Sequence, residues 1–349
     1  MLEHGGRLLR AVQHYGIARD RWLDLSSGIA PWPYPIPEIP VQAWARLPET
    51  DDGLEQAARL YYGVSQLLPV AGSQAAIQAL PQLRERSVVG VLAPCYAEHA
   101  YAWQRAGHEV RELDEQALET ELDGLDVLVV VNPNNPTGRM VSGERLLAWH
   151  ARLAARGGWL LVDEAFMDNT PGYSIANHAG QPGLIVLRSF GKFFGLAGVR
   201  LGFVLAERPL LERVADLLGP WTVSGPTRML GQACLRDEAL HQAQISRCAS
   251  ASERLAAVLA SAGLSPAGGC DLFQYVRTEH AAQLHDFLAR RGILVRLFDT
   301  PPALRFGLPE HDAALDMLAY RLHAGAADKP WAGTAIGPAV QHRVMGRRA

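Results

Sequence analysis

Residues 187–202 read Leu-Arg-Ser-Phe-Gly-Lys-Phe-Phe-Gly-Leu-Ala-Gly-Val-Arg-Leu-Gly. An apolar run that predicts a strand leads into Ser189, Lys192 follows in a turn rich in Gly and Phe, and Arg200 stands eight residues further on. A lysine in an apolar pocket beside other cations has a lowered pKa, so its neutral amine can condense with an aldehyde. Ser189 and Arg200 carry donors that suit a phosphate. Taken alone, the stretch also fits a surface Lys and Arg beside a loop.

Two further apolar runs end in polar residues. One leads into Asn-Pro-Asn-Asn-Pro-Thr-Gly at residues 132–138, and the other into Asp-Glu-Ala-Phe at residues 163–166. Asn135, Asp163 and Lys192 are 28 and 29 residues apart, the length of one strand-helix-strand unit. Parallel strands joined by right-handed crossovers end at one edge of the sheet, where α/β folds bind ligands. We therefore predict that these three side chains meet at one site.

The order and spacing of these motifs resemble the fold-type I pyridoxal-phosphate enzymes, the aminotransferase family, over roughly residues 1–325. The resemblance implies an α/β fold, with a mostly parallel central sheet flanked by helices in a large domain and a smaller α+β C-terminal domain. It implies pyridoxal 5'-phosphate as the cofactor, with Lys192 and Asp163 as catalytic residues. Lys192 would bind the cofactor aldehyde, and Asp163 would keep the pyridine nitrogen protonated.

Four segments are predicted along the chain. They are an N-terminal arm at residues 1–40, a large cofactor-binding domain at 41–225, a small C-terminal domain at 226–325 and a weakly ordered tail at 326–349. The arm ends in a stiff Pro-rich stretch, and the tail is rich in Gly, Ala and Pro. Within the small domain, we predict helices at 227–240 and 241–262 and a single strand at 293–296.

Composition limits the possible classes of protein. The net charge of −3 and the even spread of charges argue against nucleic acid as a partner, and the lack of an 18-residue apolar run argues against a membrane partner. The four cysteines are scattered without paired spacing, which indicates a reducing cytoplasm and no metal site. The isolated histidines, His99, His108 and His150, are predicted to be solvated or structural.

The cofactor phosphate has a predicted cradle where Gly72, Ser73 and Gln74 enter a helix, because free N–H groups at a helix start attract anions. A Gly-Ser pair there is also an ordinary helix cap. The resemblance implies that Tyr96 stacks on the pyridine ring and that Asn135 contacts its phenolic oxygen. The predicted cofactor-binding residues are Gly72, Ser73, Gln74, Tyr96, Asn135, Asp163, Ser189, Lys192 and Arg200.

The His-Gly-Gly start at residues 4–6 and the run Leu-Asp-Leu-Ser-Ser-Gly-Ile at residues 23–29 resemble one branch of the family, the threonine-phosphate decarboxylases of cobalamin synthesis. This resemblance implies a phosphorylated amino acid as substrate, L-threonine O-3-phosphate, and (R)-1-amino-2-propanol O-2-phosphate as product. It also implies that Arg296 and Arg305 bind the carboxylate and the phosphate, in an order left open; surface arginines on edge strands are the alternative. The predicted substrate-binding residues are His4, Gly5, Gly6, Ser27, Gly28, Asn135, Arg296 and Arg305.

Three positions depart from the pattern of aminotransferases. Phe166 and Leu47 stand where many of them carry a tyrosine, and Gly191 stands where many carry a hydroxyl residue. These departures argue against transamination without affecting cofactor attachment. The resemblance favours decarboxylation through the His-Gly-Gly start, the segment that begins at Leu25 and the Phe166 substitution. The nearest alternative is a histidinol-phosphate aminotransferase, and an alternative of another class is a non-catalytic ligand-sensing protein. The resemblance further implies a homodimer with active sites at the subunit interface.

Overall fold

The computed structural model describes residues 2–323, so the predicted tail at 326–349 lies outside the described residues. The strands are β1 Leu23–Asp24, β2 Leu68–Val70, β3 Val88–Leu92, β4 Glu109–Leu113, β5 Val127–Val131, β6 Trp159–Asp163, β7 Leu184–Ser189, β8 Gly202–Leu205, β9 Gly268–Cys270, β10 Phe273–Arg277, β11 Ile293–Leu294, β12 Arg296–Asp299 and β13 Pro302–Gly307.

The α-helices flank these strands. They are α1 Leu8–Tyr15, α2 Val41–Ala45, α3 Leu54–Tyr62, α4 Ser73–Ala79, α5 Glu98–Arg105, α6 Glu115–Glu121, α7 Gly143–Ala154, α8 Phe190–Phe193, α9 Arg208–Leu218, α10 Gly225–Arg236, α11 Glu238–Ser261, α12 Ala281–Ala289 and α13 Asp312–His323. Among residues 2–323, no helix has the length and apolarity needed to span a bilayer.

The central sheet has seven strands in the order β2-β8-β7-β6-β5-β3-β4. β7, β6, β5, β3 and β4 run parallel, whereas β8 is antiparallel to both of its neighbours. β5 reads Val-Leu-Val-Val-Val and is buried throughout because helices cover both faces of the sheet. Leu128 and Val130 pack into one core, and Val127 and Val129 pack into another on the opposite face.

The register of the parallel strands aligns the ends that carry the predicted chemistry. Asp163 pairs with Val131 of β5 on one side and with Leu187 of β7 on the other. The loop of residues 132–138 and the turn that carries Lys192 therefore leave the sheet beside Asp163.

A second, antiparallel sheet of order β12-β13-β10-β9 packs against α11, α12 and α13 around a core that includes Leu255, Leu284 and Phe306. The N-terminal β1 pairs in parallel with β11 and adds Leu25 to this core. Two sequence predictions are wrong here. The break between the long helices lies at Asp237, whose side chain caps α11 by accepting from the Leu240 N–H at 3.0 Å. The predicted strand at 293–296 is split between two sheets, because β11 pairs with β1 and β12 pairs with β13.

Candidate active site

Lys192 lies on α8, directly after the strand end of β7. Burial and, next, the charge of Arg305 lower its pKa from 10.5 to about 8, although Asp163 raises it. Its Nζ lies 6.0 Å from the centre of the Phe166 ring. An amine with this pKa is partly neutral near pH 7, as condensation with an aldehyde requires.

Asp163 ends β6 and is only 2% exposed. Its Oδ2 lies 2.9 Å from Nε2 of His99, and its Oδ1 accepts from the Ala165 N–H at 3.0 Å. A buried carboxylate needs such partners. His99 is therefore a site residue that the sequence reasoning did not identify. The available signal was its position three residues after Tyr96, which puts both near one end of α5.

The turn before α4 lies against Arg200. Gly72 has a φ of +74°, and a Cβ there would come within 2.5 Å of Arg200 Nη2. Ser189 pairs with Gly202 across β7 and β8, and a Cβ on Gly202 would come within 2.5 Å of the Ser73 nitrogen. The structure thus brings together a helix start, a hydroxyl and a guanidinium, a donor set that fits a phosphate.

Tyr96 and Asn135 line the same pocket. The Tyr96 hydroxyl donates to Gln74 Oε1 at 3.2 Å, and burial raises its pKa to about 12. The Asn135 side chain contacts Arg305, a predicted substrate-binding residue, because its Oδ1 accepts from Arg305 Nη1 at 2.6 Å.

Arg296 and Arg305 face each other across β12 and β13. Arg305 is 6% exposed and donates to the Ser26 carbonyl at 3.0 Å, while its buried Nε has no partner among the described residues. Burial, followed by the charge of Arg296, lowers the pKa of Arg305 to about 10. Arg296 donates to the Glu3 carbonyl at 2.6 Å. Two cations this close favour anionic ligands.

The N-terminal arm covers this region. His4 Nε2 lies 2.8 Å from Glu98 Oε1, and the Gly6 N–H donates to Ser26 Oγ at 2.8 Å. A side chain at Gly5 would collide with the Ser26 carbonyl, so the close approach of the arm requires glycine there.

Ser27 and Gly28 follow Ser26 and pack closely against other parts of the fold. A Cβ on Gly28 would lie 2.9 Å from Phe166 Cε1, and the Ser27 carbonyl packs on Gly307. Phe166 itself packs edge-on against Phe273, with ring centres 5.2 Å apart. The side chain at position 166 therefore packs between Gly28 and Phe273 and carries no hydroxyl to donate a hydrogen bond.

A cavity of about 270 Å³ opens between the arm and the sheet edge. Of the predicted residues, His4, Gly5, Tyr96, Asn135, Arg296 and Arg305 line it. The other predicted residues, including Lys192 and Asp163, lie outside its lining. The cavity is therefore lined by most of the predicted substrate-binding side chains, and not by Lys192 or Asp163.

A buried ion network supports the strand ends. Arg188 of β7 donates to Glu164 at 2.6 Å and to Asp168 at 2.5 Å, and its guanidinium lies 4.6 Å from the Tyr62 ring centre. Arg188 and Glu164 are the chain neighbours of Ser189 and Asp163. The network therefore fixes the two ends from which the predicted site residues project.

The model of the family described as aminotransferase class I and II matches residues 42–322. The chain belongs to this family. The chain is 62% identical over 314 residues to the threonine-phosphate decarboxylase of Pseudomonas aeruginosa, covering 90% of this chain and 95% of that protein. It is 47% identical over 323 residues to the threonine-phosphate decarboxylase of a Sinorhizobium species, with the same coverage.

Among solved structures, the fold matches that of histidinol-phosphate aminotransferase from Sinorhizobium meliloti in complex with pyridoxal 5'-phosphate. The TM-score is 0.77 at 19% identity, over 92% of this chain and 97% of that one. At this identity the likeness establishes the fold. The predicted family and fold class are confirmed.

Proposed function

We propose that this class I and II aminotransferase family member is a pyridoxal-phosphate-dependent decarboxylase of L-threonine O-3-phosphate that produces (R)-1-amino-2-propanol O-2-phosphate and CO₂. The pairing of Arg296 with Arg305 beside the covered cavity carries the proposal, because a substrate with a carboxylate and a phosphate needs two cations. The names of two relatives, 62% and 47% identical, support the same activity. They favour it over the histidinol-phosphate aminotransferase alternative.

The residues at the sheet edge fit the cofactor. When bound, pyridoxal phosphate supplies a conjugated cationic ring that accepts the electron pair of a bond broken at the substrate Cα. Lys192 is assigned to the cofactor aldehyde, and Asp163, oriented by His99, to the protonated ring nitrogen. The donors of Gly72, Ser73, Gln74, Ser189 and Arg200 are assigned to the cofactor phosphate.

Asn135 and Tyr96 are assigned to the remaining contacts of the cofactor ring. Asn135 is assigned to the phenolic oxygen and Tyr96 to one face of the ring. Burial raises the pKa of Tyr96 further above neutral pH, to about 12, so its hydroxyl is a hydrogen-bond donor there. Asn135 also holds Arg305, so one amide connects the cofactor end to the substrate end.

The two arginines are assigned different anions. Arg305 influences the pKa of Lys192 and bonds to Asn135, so it is assigned the α-carboxylate near the reacting carbon. Arg296 bonds to the arm, so it is assigned the substrate phosphate together with His4 and Gly5. The electron pair of the broken bond to CO₂ would be taken up by the bound cofactor, and Lys192 Nζ is assigned as the buried acid that returns a proton to Cα.

A homodimer is also proposed. Large apolar side chains are exposed on and around α2, and the start of α10 packs on that helix, since a Cβ on Gly225 would lie 2.5 Å from the Ala43 carbonyl. A patch of this kind favours association with a second copy. Its members are Ile36, Val41, Trp44, Leu47 and Trp221. A cytoplasmic location and a role in cobalamin synthesis rest on the sequence resemblance and stay proposals.

Product analysis tests the function. The holoenzyme is incubated with L-threonine O-phosphate alone and, separately, with histidinol phosphate and 2-oxoglutarate. We expect CO₂ and the aminopropanol phosphate in the first reaction, no conversion in the second, and no CO₂ with Lys192→Ala. Transamination in the second reaction without CO₂ in the first would favour the aminotransferase. Purified protein that never acquires the visible absorbance of bound cofactor would favour a non-catalytic protein.

A further inference from the structure

Glu98 lies where the N-terminal arm meets the turn assigned to the cofactor phosphate, and none of the assignments above involves it. It is the first residue of α5, and its side chain is 14% exposed. Oε1 lies 2.8 Å from His4 Nε2, while Oε2 accepts from Gln74 Nε2 at 2.8 Å and from Gln78 Nε2 at 3.3 Å. One carboxylate therefore contacts both the arm and α4.

Gln74 has a defined orientation in this arrangement. Its Oε1 accepts from the Tyr96 hydroxyl, so its N–H groups turn toward Glu98. An ionised carboxylate only accepts hydrogen bonds and can serve several donors at once. A glutamine at position 98 has one accepting oxygen, so it cannot present acceptors both to His4 and to the NH₂ groups of Gln74 and Gln78. The charge and the symmetry of the carboxylate are therefore both used.

The other contacts of the arm lie on the opposite side of the cavity. Gly6 is held by Ser26, next to β1, and the Glu3 carbonyl is held by Arg296 of β12. Both partners belong to the part of the fold built around the smaller sheet, whereas Glu98 follows β3 of the central sheet. The contact between His4 and Glu98 therefore joins the arm to the side of the molecule built on the central sheet.

We infer that Glu98 is a positioning residue that couples the seating of the N-terminal arm on the substrate to the ordering of the first turn of α4. This inference deepens the proposed function and rests on it. Gln74 and Gln78 hold Glu98 in one rotamer, so the entropy cost of fixing its side chain is already met when His4 binds. By linkage, an ordered turn favours a seated arm, and a seated arm favours an ordered turn to the same extent.

Glu98→Gln tests the inference in the holoenzyme, with Glu115→Gln as the matched control. Glu115 is also the first residue of a helix and pairs with Arg139 and Arg145, away from the arm. Loss of a charged hydrogen bond at Glu98 should raise the KM for L-threonine O-phosphate about tenfold, with kcat within about twofold. The control should retain both constants. A fall in kcat at unchanged KM would overturn the inference.

A second readout needs no catalysis. Trypsin cleavage after Arg7 and Arg10, followed by mass spectrometry of the N-terminal peptides, reports release of the arm. Bound pyridoxal phosphate should slow this cleavage in the wild type and not in Glu98→Gln. Equal protection in both proteins overturns the coupling. If the wild type releases no CO₂ yet shows this difference in protection, the proposed function fails while the coupling stands.

Two further variants separate positioning from loss of structure. His4→Ala should raise KM at least as much as Glu98→Gln does, because it removes the contact with Glu98 together with the contact assigned to the substrate phosphate. The double variant should show no rise in KM beyond that of His4→Ala. Additive increases in KM would contradict a role for Glu98 that acts through His4. Glu98→Asp keeps the charge and withdraws it by one methylene, so an intermediate KM is expected. A KM for Glu98→Asp above that of Glu98→Gln would also contradict the inference.

Discussion

Replacing Arg305 by glutamine should raise the pKa of Lys192. Burial is the largest cause of its lowering from 10.5 to about 8, and the charge of Arg305 is the next. At pH 7, roughly a tenth of an amine with a pKa of 8 is neutral, against roughly 0.03% at 10.5, a gain of about 300-fold. Removing Arg305 gives up the electrostatic part of that gain and retains the part due to burial.

The rate at which apoprotein captures pyridoxal phosphate reports this pKa, because only the neutral amine reacts with an aldehyde. In the wild type the rate should rise with pH and level off above an inflection near pH 8. In Arg305→Gln the inflection should move upward but stay below 10.5. Each pH unit of that shift slows capture at pH 7 about tenfold.

Arg296→Gln is the matched control, because its guanidinium lies on the facing strand and bonds to the Glu3 carbonyl of the arm. It should retain the wild-type inflection. Titration of the cofactor itself is common to all three proteins, so a shift seen only in Arg305→Gln reports on Lys192. The same inflection in Arg305→Gln and in the wild type would refute the electrostatic argument. A wild-type inflection near 10 would refute the burial of Lys192.

Three other outcomes are expected. Asp163→Asn should retain bound cofactor but lose at least about 100-fold in kcat for CO₂ release, because the ring nitrogen loses its anionic partner; steady-state kinetics measures this. Arg188→Met leaves Glu164 and Asp168 as unpaired buried charges, so urea unfolding should show a loss of about 3–5 kcal/mol in the free energy of unfolding. Trp44→Glu puts a charge in the exposed apolar patch, and light scattering should show a monomer where the wild type is a dimer; a dimeric variant would contradict the proposed interface.

Much of the central sheet follows from sequence because its parallel strands are buried on both faces. The short apolar runs that contain β5 and β6 indicate buried strands, and spacings of one strand-helix-strand unit place β5 beside β6 and β6 beside β7. The antiparallel direction of β8 has no such signal, since its sequence, Gly-Phe-Val-Leu, is apolar in either direction. The split at Val295 was missed because β11 pairs with β1, about 270 residues away, and no local pattern reports that pairing.

The candidate site also contains some residues that the sequence predicted and some contacts that it did not. Asp163 ends β6, and Asn135 and Lys192 follow the ends of β5 and β7. Topology alone therefore predicted that the three residues meet. His99 and Glu98 belong to α5, and the way that this helix packs on the sheet decides what they contact. The hydrogen bond between Arg305 and Asn135 joins residues 170 positions apart, one in β13 of the smaller sheet and the other in the loop after β5 of the central sheet. Such contacts depend on the docking of the two sheets, which short motifs do not encode.

The pairing of β1 with β11 has a consequence for biosynthesis on the ribosome. Leu25, which directly follows β1, has backbone hydrogen bonds to both Leu294 and Gly307. The first strand and this residue therefore acquire their partners only when residues 293–307 have emerged. At about 5–20 residues per second, the nascent polypeptide waits roughly 15–55 s for these partners. Strands β2 to β8 are complete long before. A ribosome stalled before residue 307 therefore displays the strand ends assigned to the cofactor without the completed β12–β13 pair assigned to the substrate, and the pocket closes only after residue 307 has emerged.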